Sequence, residues 1–135
     1  MIGVVIVAHG GLAKEYLAAV EHVVGKQTGI QAISIQDTHD RAAKEAEICA
    51  AADAVDTGSG VVMVTDMFGG SPSNLSLRAC SQHQCKILYG ANLPMLVKLA
   101  KSRGKPLETA VQAAMTAGRK YIDCRDVEPS GVCNG

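Results

Sequence analysis

Short apolar runs recur along this chain at intervals that predict a sheet interleaved with helices. Residues 2–8 are apolar except for one glycine, and residues 61–65 are apolar up to a final threonine. Continuous apolar runs of this length are typical of strands that are buried on both faces of a parallel sheet. The predicted strands cover residues 2–8, 30–35, 61–65 and 86–89.

The segments between these strands follow helical spacing. Gly25 is a suitable stop for the first helix, and Asp37 or Thr38 could cap the second. Ser71 is positioned to cap a third helix that has Pro72 at its first position. The predicted helices cover residues 13–24, 39–55, 72–82, 94–100 and 106–118.

Alternating strands and helices define the predicted fold class. It is α/β, a three-layer αβα open sheet of four parallel strands with helices on both faces. A further short strand is expected at residues 121–124. The whole chain of 135 residues fits one domain, residues 1–125, followed by a loose tail at residues 126–135.

Composition excludes several classes of function. Acidic and basic residues number 13 each, which argues against a general nucleic-acid binder. The chain has one Phe, three Tyr and no Trp, so base stacking on exposed rings is not expected. The apolar N-terminal stretch is too short for a secretory leader, and no run is long enough to insert into a membrane. A cytoplasmic protein is therefore expected.

The candidate chemistry lies where strands end. His9 follows the first strand, and Asp66 follows the third. In an open parallel sheet, ligands and reactive groups gather just beyond the carboxyl ends of strands. If the first and third strands are neighbours, Asp66 can fix the tautomer of His9 and leave one ring nitrogen free to attack. The Gly69-Gly70-Ser71 segment would add an anion site at a helix N-terminus.

Each of these features also has an ordinary structural explanation. His9 alone could be a loop residue, Asp66 a helix cap, and Gly-Gly-Ser-Pro a turn that opens a helix. Their joint occurrence at strand ends favours a nucleophilic imidazole beside an anion cradle, which suggests a phosphohistidine. Cys80, His83 and Cys85 have a spacing that superficially resembles a metal site. With no fourth ligand nearby, a helix end followed by a buried strand is the simpler interpretation.

Three motifs resemble one known family. They are Val-Ala-His-Gly near the N-terminus, Thr-Asp-Met-Phe-Gly-Gly-Ser-Pro-Ser-Asn at 65–74, and Gly-Ala-Asn-Leu-Pro-Met-Leu at 90–96. They are similar to the EIIA component of the mannose family of the bacterial phosphoenolpyruvate:sugar phosphotransferase system. The resemblance covers residues 1 to about 124. It implies a homodimer in which the strand at 121–124 is exchanged between subunits.

The resemblance also implies roles for individual residues. His9 matches the phosphorylated histidine, which accepts a phosphoryl group from phospho-HPr and passes it to an EIIB protein, and Asp66 matches the carboxylate that orients it. Ser71 matches the serine of the phosphate-side loop. The remaining predicted phosphate-binding or site-lining residues are Gly69, Gly70, Gly10, Met67, Phe68 and Asn92.

Two alternatives remain open from the sequence. A phosphocarrier subunit of a dihydroxyacetone kinase would use the same histidine with a different acceptor. A non-enzymatic regulator that senses phosphate state would bind the group and not pass it on. The predicted phosphoryl transfer requires no metal and no cofactor, and it serves either sugar uptake or a regulatory phosphorelay.

Overall fold

One sheet of four parallel strands forms the centre of the molecule. The structure, a computed structural model, describes residues 1–36, 40–67, 74–76 and 83–129. The strands lie in the order β2-β1-β3-β4, and all three pairings are parallel. Their bounds are β1 Gly3–His9, β2 Ile30–Ile35, β3 Val61–Thr65 and β4 Cys85–Leu88. This arrangement confirms the predicted parallel α/β sheet and puts β1 next to β3.

Helices cover both faces of the sheet, as predicted. Their bounds are α1 Leu12–Val24, α2 Arg41–Val55, α3 Leu93–Lys101 and α4 Leu107–Lys120, and residues 74–76 are also helical. Alternate residues of β1 point to opposite faces. Val4 and Ile6 pack with α1, α3 and α4, whereas Val5 and Val7 pack with α2. The apolar run of β1 is continuous because both of its faces are buried.

The second helix begins later than the sequence suggests. Its N-cap is Asp40, whose side chain accepts a hydrogen bond from the Ala42 amide. The predicted caps, Asp37 and Thr38, lie outside the described residues. Asp40 has the same short carboxylate as Asp37 and stands directly before the first helical residue, so it satisfies the helix better.

The C-terminal segment does not form the predicted short strand within this single chain. Residues 121–129 have no helical or strand structure after the turn at Tyr121, and all are exposed. Tyr121, Ile122 and Val127 are 67%, 75% and 84% exposed. A strand needs a neighbouring strand to satisfy its backbone, and the described part of this chain offers residues 121–129 none. Exchange of this segment between subunits stays a prediction.

A histidine bridges β4 and α2 at the end of the sheet opposite to His9. His83 precedes β4, and its two ring nitrogens each lie 2.7 Å from a carboxylate, Nδ1 from Asp56 and Nε2 from Asp53. The side chain of His83 is only 11% exposed. The bond to Asp56 is the main cause that raises the pKa of His83, against a smaller opposing effect of burial.

These contacts give His83 a structural explanation within the Cys80, His83 and Cys85 motif. Cys80 lies outside the described residues, and Cys85 is disulfide-bonded. In the part of the chain that the structure describes, no three His, Cys, Asp or Glu side chains are grouped to hold a metal ion.

We expect the bonds of His83 to make stability depend on pH. A raised folded-state pKa stabilises the protein below the unfolded value of about 6.5, and this contribution is lost as pH rises through the folded value. The His83→Gln variant should be less stable than wild type at pH 6 by about 1 kcal/mol, since Asp53 is largely exposed and screened. Urea unfolding between pH 6 and 9 measures the difference.

The difference between wild type and His83→Gln should shrink toward high pH. In the acid range the pH dependence has the opposite direction, because backbone and His83 hydrogen bonds lower the pKa of Asp56. That contribution is present above the unfolded value of about 3.9 and is lost as pH falls through the folded value. A difference that stays constant from pH 6 to 9 would show that His83 is not charged in the folded protein.

Candidate functional site

The end of β1 places His9 at the carboxyl edge of the sheet, between two neighbouring strands. Its backbone is still in register with β2, opposite Ile35. The next residue, Gly10, turns the chain with φ of +56°, a left-handed conformation that glycine adopts without strain. Helix α1 then begins at Leu12, after an N-cap at Gly11 that supplies no side-chain hydrogen bond. A sharp glycine turn therefore separates the histidine from the start of a helix.

Asp66 approaches His9 from the other side. It directly follows β3, the neighbour of β1, so its side chain lies beside the end of β1. One carboxylate oxygen, Oδ2, accepts the backbone N–H of His9 at 3.0 Å and lies 2.8 Å from the ring Nδ1. The structure thus brings together the two residues that the sequence predicts to face each other.

The surroundings of Asp66 keep it ionised. Burial raises the pKa of Asp66, but the hydrogen bonds from the His9 backbone and ring, with the charge of the ring, outweigh it and leave the pKa below its ordinary value. A carboxylate can only accept, so the proton in the short bond lies on Nδ1. In the neutral imidazole, Nε2 then carries the lone pair.

Nε2 is the ring nitrogen that Asp66 does not contact. The His9 side chain is 45% exposed, against 11% for Asp66. No hydrogen bond joins Nε2 to any residue that the structure describes. In a histidine whose side chain is partly exposed, the pair therefore leaves one nucleophilic nitrogen to react, while the mostly covered carboxylate of Asp66 fixes the other.

The other predicted site residues have different positions. Gly10 forms the turn after His9, and Met67 directly follows Asp66 with 55% of its surface exposed. Asn92 accepts the Met95 amide at 3.0 Å and donates to the Gly118 carbonyl at 2.8 Å. This side chain caps α3 and joins it to α4, so its site-lining role stays a prediction. Phe68, Gly69, Gly70 and Ser71 lie outside the described residues.

No pattern in the sequence predicts two further contacts at this edge of the sheet. The Tyr16 hydroxyl donates to the Ala91 carbonyl at 3.1 Å, and the Ala91 amide donates to the Thr65 carbonyl at 3.0 Å. These bonds fix the loop after β4 against α1 and β3. Both depend on how distant segments meet in space.

Leu12 lies three residues after His9 and is 44% exposed. Its helical spacing with Tyr16 places both on one side of α1, yet only Tyr16 packs partly against the core. The sequence signal for Leu12 is an apolar residue at a helix start, three positions after the strand-end histidine. We call the exposed side chains of Leu12 and Met67, which adjoin the segments of His9 and Asp66, the apolar rim of the site.

Fold and site together define an open parallel α/β protein that presents a carboxylate-supported histidine at the carboxyl edge of its sheet. Comparison with known proteins makes the class specific. The family model EIIA-man, described as "PTS system fructose IIA component", matches residues 3–116. The chain belongs to this family, which confirms the predicted resemblance.

Curated relatives agree with this assignment. The chain is 27% identical over 131 residues to the "PTS system mannose-specific EIIAB component" of Escherichia coli K12, a match that covers 95% of this chain and 41% of that protein. It is also 27% identical over 104 residues to the "Putative phosphotransferase enzyme IIA component YadI" of the same organism, covering 76% of this chain and 71% of YadI. The chain thus spans about two fifths of the length of the mannose-specific relatives.

Solved structures share the fold. A PTS IIA protein associated with the fucose utilization operon of Streptococcus pneumoniae superposes with a TM-score of 0.74 at 28% identity, covering 85% of this chain and 89% of that one. A mannose/sorbose-specific IIA subunit from Enterococcus faecalis reaches a TM-score of 0.78 at 21% identity, covering 93% and 96%. Family membership supports a phosphocarrier role in the sugar phosphotransferase system. Among the described residues, no helix has the length and apolar character needed to cross a membrane.

Proposed function

We propose that this protein is a phosphocarrier that accepts a phosphoryl group from phospho-HPr on His9 and passes it to an EIIB protein. The observation that carries the proposal is the 2.8 Å contact between His9 Nδ1 and Asp66, which leaves Nε2 as the nitrogen to react in a side chain that is 45% exposed. Family membership supplies the class of reaction, and this geometry supplies the atom that would react.

In the proposed reaction, Nε2 attacks phosphorus in line with the bond to the donor. The new N–P bond forms as the bond between phosphorus and the donor breaks, and the donor leaves with its electron pair. Positive charge develops on the imidazole as its lone pair is shared. The ionised Asp66 stabilises that charge through the Nδ1–H bond and holds the ring in orientation throughout.

The phosphoryl oxygens need donors at the same edge. The first turn of α1 begins just after Gly10 and has no side-chain cap, so its N–H groups favour a negative charge nearby. The second predicted set of donors to the phosphoryl oxygens is the Gly69-Gly70-Ser71 segment. Binding by such donors should remain moderate, because the carrier must release the group to its acceptor.

Partner docking would use the apolar rim of the site. Leu12 and Met67 are 44% and 55% exposed and adjoin the segments that hold His9 and Asp66. A protein donor that covers these side chains would exclude water from the reacting phosphorus. The net charge of zero fits recognition by apolar contact better than recognition by long-range attraction.

Direct labelling tests the proposed transfer. The protein is incubated with radiolabelled phosphoenolpyruvate, Enzyme I and HPr. We expect a phosphoprotein that is labile to acid and stable to base, and that loses its label when an EIIB protein is added. Absence of label would overturn the proposal. Label that moves only to a dihydroxyacetone kinase would favour that system, and label that moves to neither acceptor would favour a phosphate-state sensor.

The proposed carrier is a homodimer in solution. Strand β4 lies at an edge of the sheet, with a cleft of about 480 Å³ beside it that is lined in part by Ile87, Met95 and Met115. Residues 121–129 are exposed and carry apolar side chains that a partner subunit would cover. Pairing of residues 121–124 with β4 of a second copy would satisfy both backbones.

Sedimentation velocity at micromolar concentration measures the oligomeric state. We expect a dimer for wild type and a shift to monomer for Ile122→Asp. A carboxylate buried at the interface would cost about 2 kcal/mol or more. Val23→Asp, a change at an exposed apolar residue on α1, is the matched control and should remain dimeric. Wild type that sediments as a monomer would contradict the prediction.

A further inference from the structure

The turn after His9 is held by two consecutive residues of β2. Ser34 lies opposite Ala8 in the β1–β2 register, and its hydroxyl donates to the carbonyl oxygen of Gly10. The next residue, Ile35, accepts the Gly10 amide through its carbonyl at 3.0 Å. Both backbone polar groups of Gly10 are therefore bonded to β2.

Only one of these two bonds is an extension of the sheet. The bond from the Gly10 amide to Ile35 continues the ladder of β1 by one residue. The Gly10 carbonyl belongs to a residue that has already turned, with φ of +56°. Among the residues that the structure describes, its donor is the side chain of Ser34. A hydroxyl at residue 34 is what fixes the direction of the peptide between Gly10 and Gly11.

That peptide connects the two parts of the proposed reaction. Before it stands His9, whose ring is aimed by Asp66, and after it stands the N-terminus of α1. Space is not what restricts the turn, because a Cβ added at Gly10 would meet nothing within 4 Å. Rotation of the Gly10–Gly11 peptide would move the first helical N–H groups relative to Nε2.

We propose that Ser34 is a positioning residue for phosphoryl transfer at His9. Its hydroxyl holds the Gly10 carbonyl and so fixes the turn that aligns His9 with the start of α1. The end of β1 is then held from both sides, because Asp66 after β3 bonds to His9 and Ser34 in β2 bonds to Gly10. This inference rests on the proposed phosphorylation of His9, because alignment for attack matters only if His9 is the acceptor.

The test compares two variants that each lose one hydroxyl-to-carbonyl bond. Ser34→Ala removes the bond to Gly10. Thr57→Ala removes a bond of the same kind, from Thr57 Oγ1 to the Met1 carbonyl at 2.8 Å, at the opposite end of the sheet. Single-turnover phosphorylation by phospho-HPr should slow about tenfold in Ser34→Ala, since small misplacements of reacting groups cost rate steeply. Thr57→Ala should stay within about twofold of wild type.

Two further measurements separate positioning from general stability. Ser34→Thr keeps the hydroxyl and should restore the rate to within about twofold of wild type. Nitrogen-15 NMR of the unphosphorylated protein should show altered His9 ring resonances and faster exchange of the Gly10 amide in Ser34→Ala only. These NMR readouts do not depend on phosphoryl transfer.

Each outcome has one meaning. An unlabelled wild-type protein would refute the proposed function itself. A labelled wild type with Ser34→Ala at an unchanged rate would overturn the role of Ser34 and leave the function intact. Equal slowing of Ser34→Ala and Thr57→Ala, or no rescue by threonine, would also overturn it, because the effect would then be one of stability.

Discussion

The His9→Ala variant should take up no phosphoryl group from phospho-HPr, while wild type is labelled to completion. Alanine removes Nε2, the atom that is proposed to form the bond to phosphorus. The side chain is 45% exposed at the edge of the sheet, so its loss should leave the core packed and the protein folded. Label that is lost on acid treatment and kept on base treatment measures the uptake, and mass spectrometry of peptides locates it.

An exposed histidine at the far end of α1 is the control for His9→Ala. His22 lies in the last turn of α1 and is exposed, and it has no place in the proposed reaction. His22→Ala should be labelled at the wild-type rate. Undiminished labelling of His9→Ala would remove His9 from the mechanism, whatever the behaviour of the control.

The Asp66→Asn variant should remain folded and transfer phosphoryl about a hundredfold more slowly. An amide is close in shape to the carboxylate and can still accept the His9 backbone N–H. It can also donate to Nδ1, which would put the ring proton on Nε2 and block attack. It carries no charge to stabilise the imidazolium that develops in the reaction. Stopped-flow or quenched-flow labelling gives the rate, and nitrogen-15 NMR gives the tautomer of His9.

A second histidine–carboxylate pair supplies the matched control for Asp66→Asn. Asp56 Oδ2 lies 2.7 Å from Nδ1 of His83, a contact of the same kind at the amino end of the strands. Asp56→Asn should lose stability and keep its phosphorylation rate. A wild-type rate in Asp66→Asn would show that Asp66 has no part in the transfer.

The pH dependence of Asp66 adds a further distinction. Because its pKa is lowered in the folded protein, its contribution to stability is present above the unfolded value of about 3.9 and is lost as pH falls through the folded value. Unfolding of Asp66→Asn should therefore be less steeply dependent on pH in the acid range than unfolding of wild type.

Much of the sheet could be predicted because a strand that is buried on both faces has a continuous run of apolar residues. Val5 and Val7 face one core and Val4 and Ile6 the other, so β1 is apolar at every such position. The contact between His9 and Asp66 could be predicted because parallel strands end at one edge and crossovers restrict the order of strands.

Other features depend on three-dimensional details that spacing along the chain does not encode. The bond from Ser34 to Gly10 requires the register in which Ser34 lies opposite Ala8. A shift by one residue would turn its hydroxyl to the other face. Asp40 replaced the predicted caps because several adjacent residues had suitable side chains, and local preference does not choose between them.

The position of β1 between β2 and β3 has a consequence for biosynthesis. His9 and Ser34 lie in adjacent strands and Asp66 directly follows the third, and the three residues are separated by 25 and 32 positions in sequence. A growing chain that ends before β3 contains the histidine but neither the carboxylate that orients it nor the strand that completes its edge. Competence for transfer should thus require synthesis through Asp66 and pairing of β3 with β1. Partly made chains would not draw phosphoryl groups away from the finished carrier.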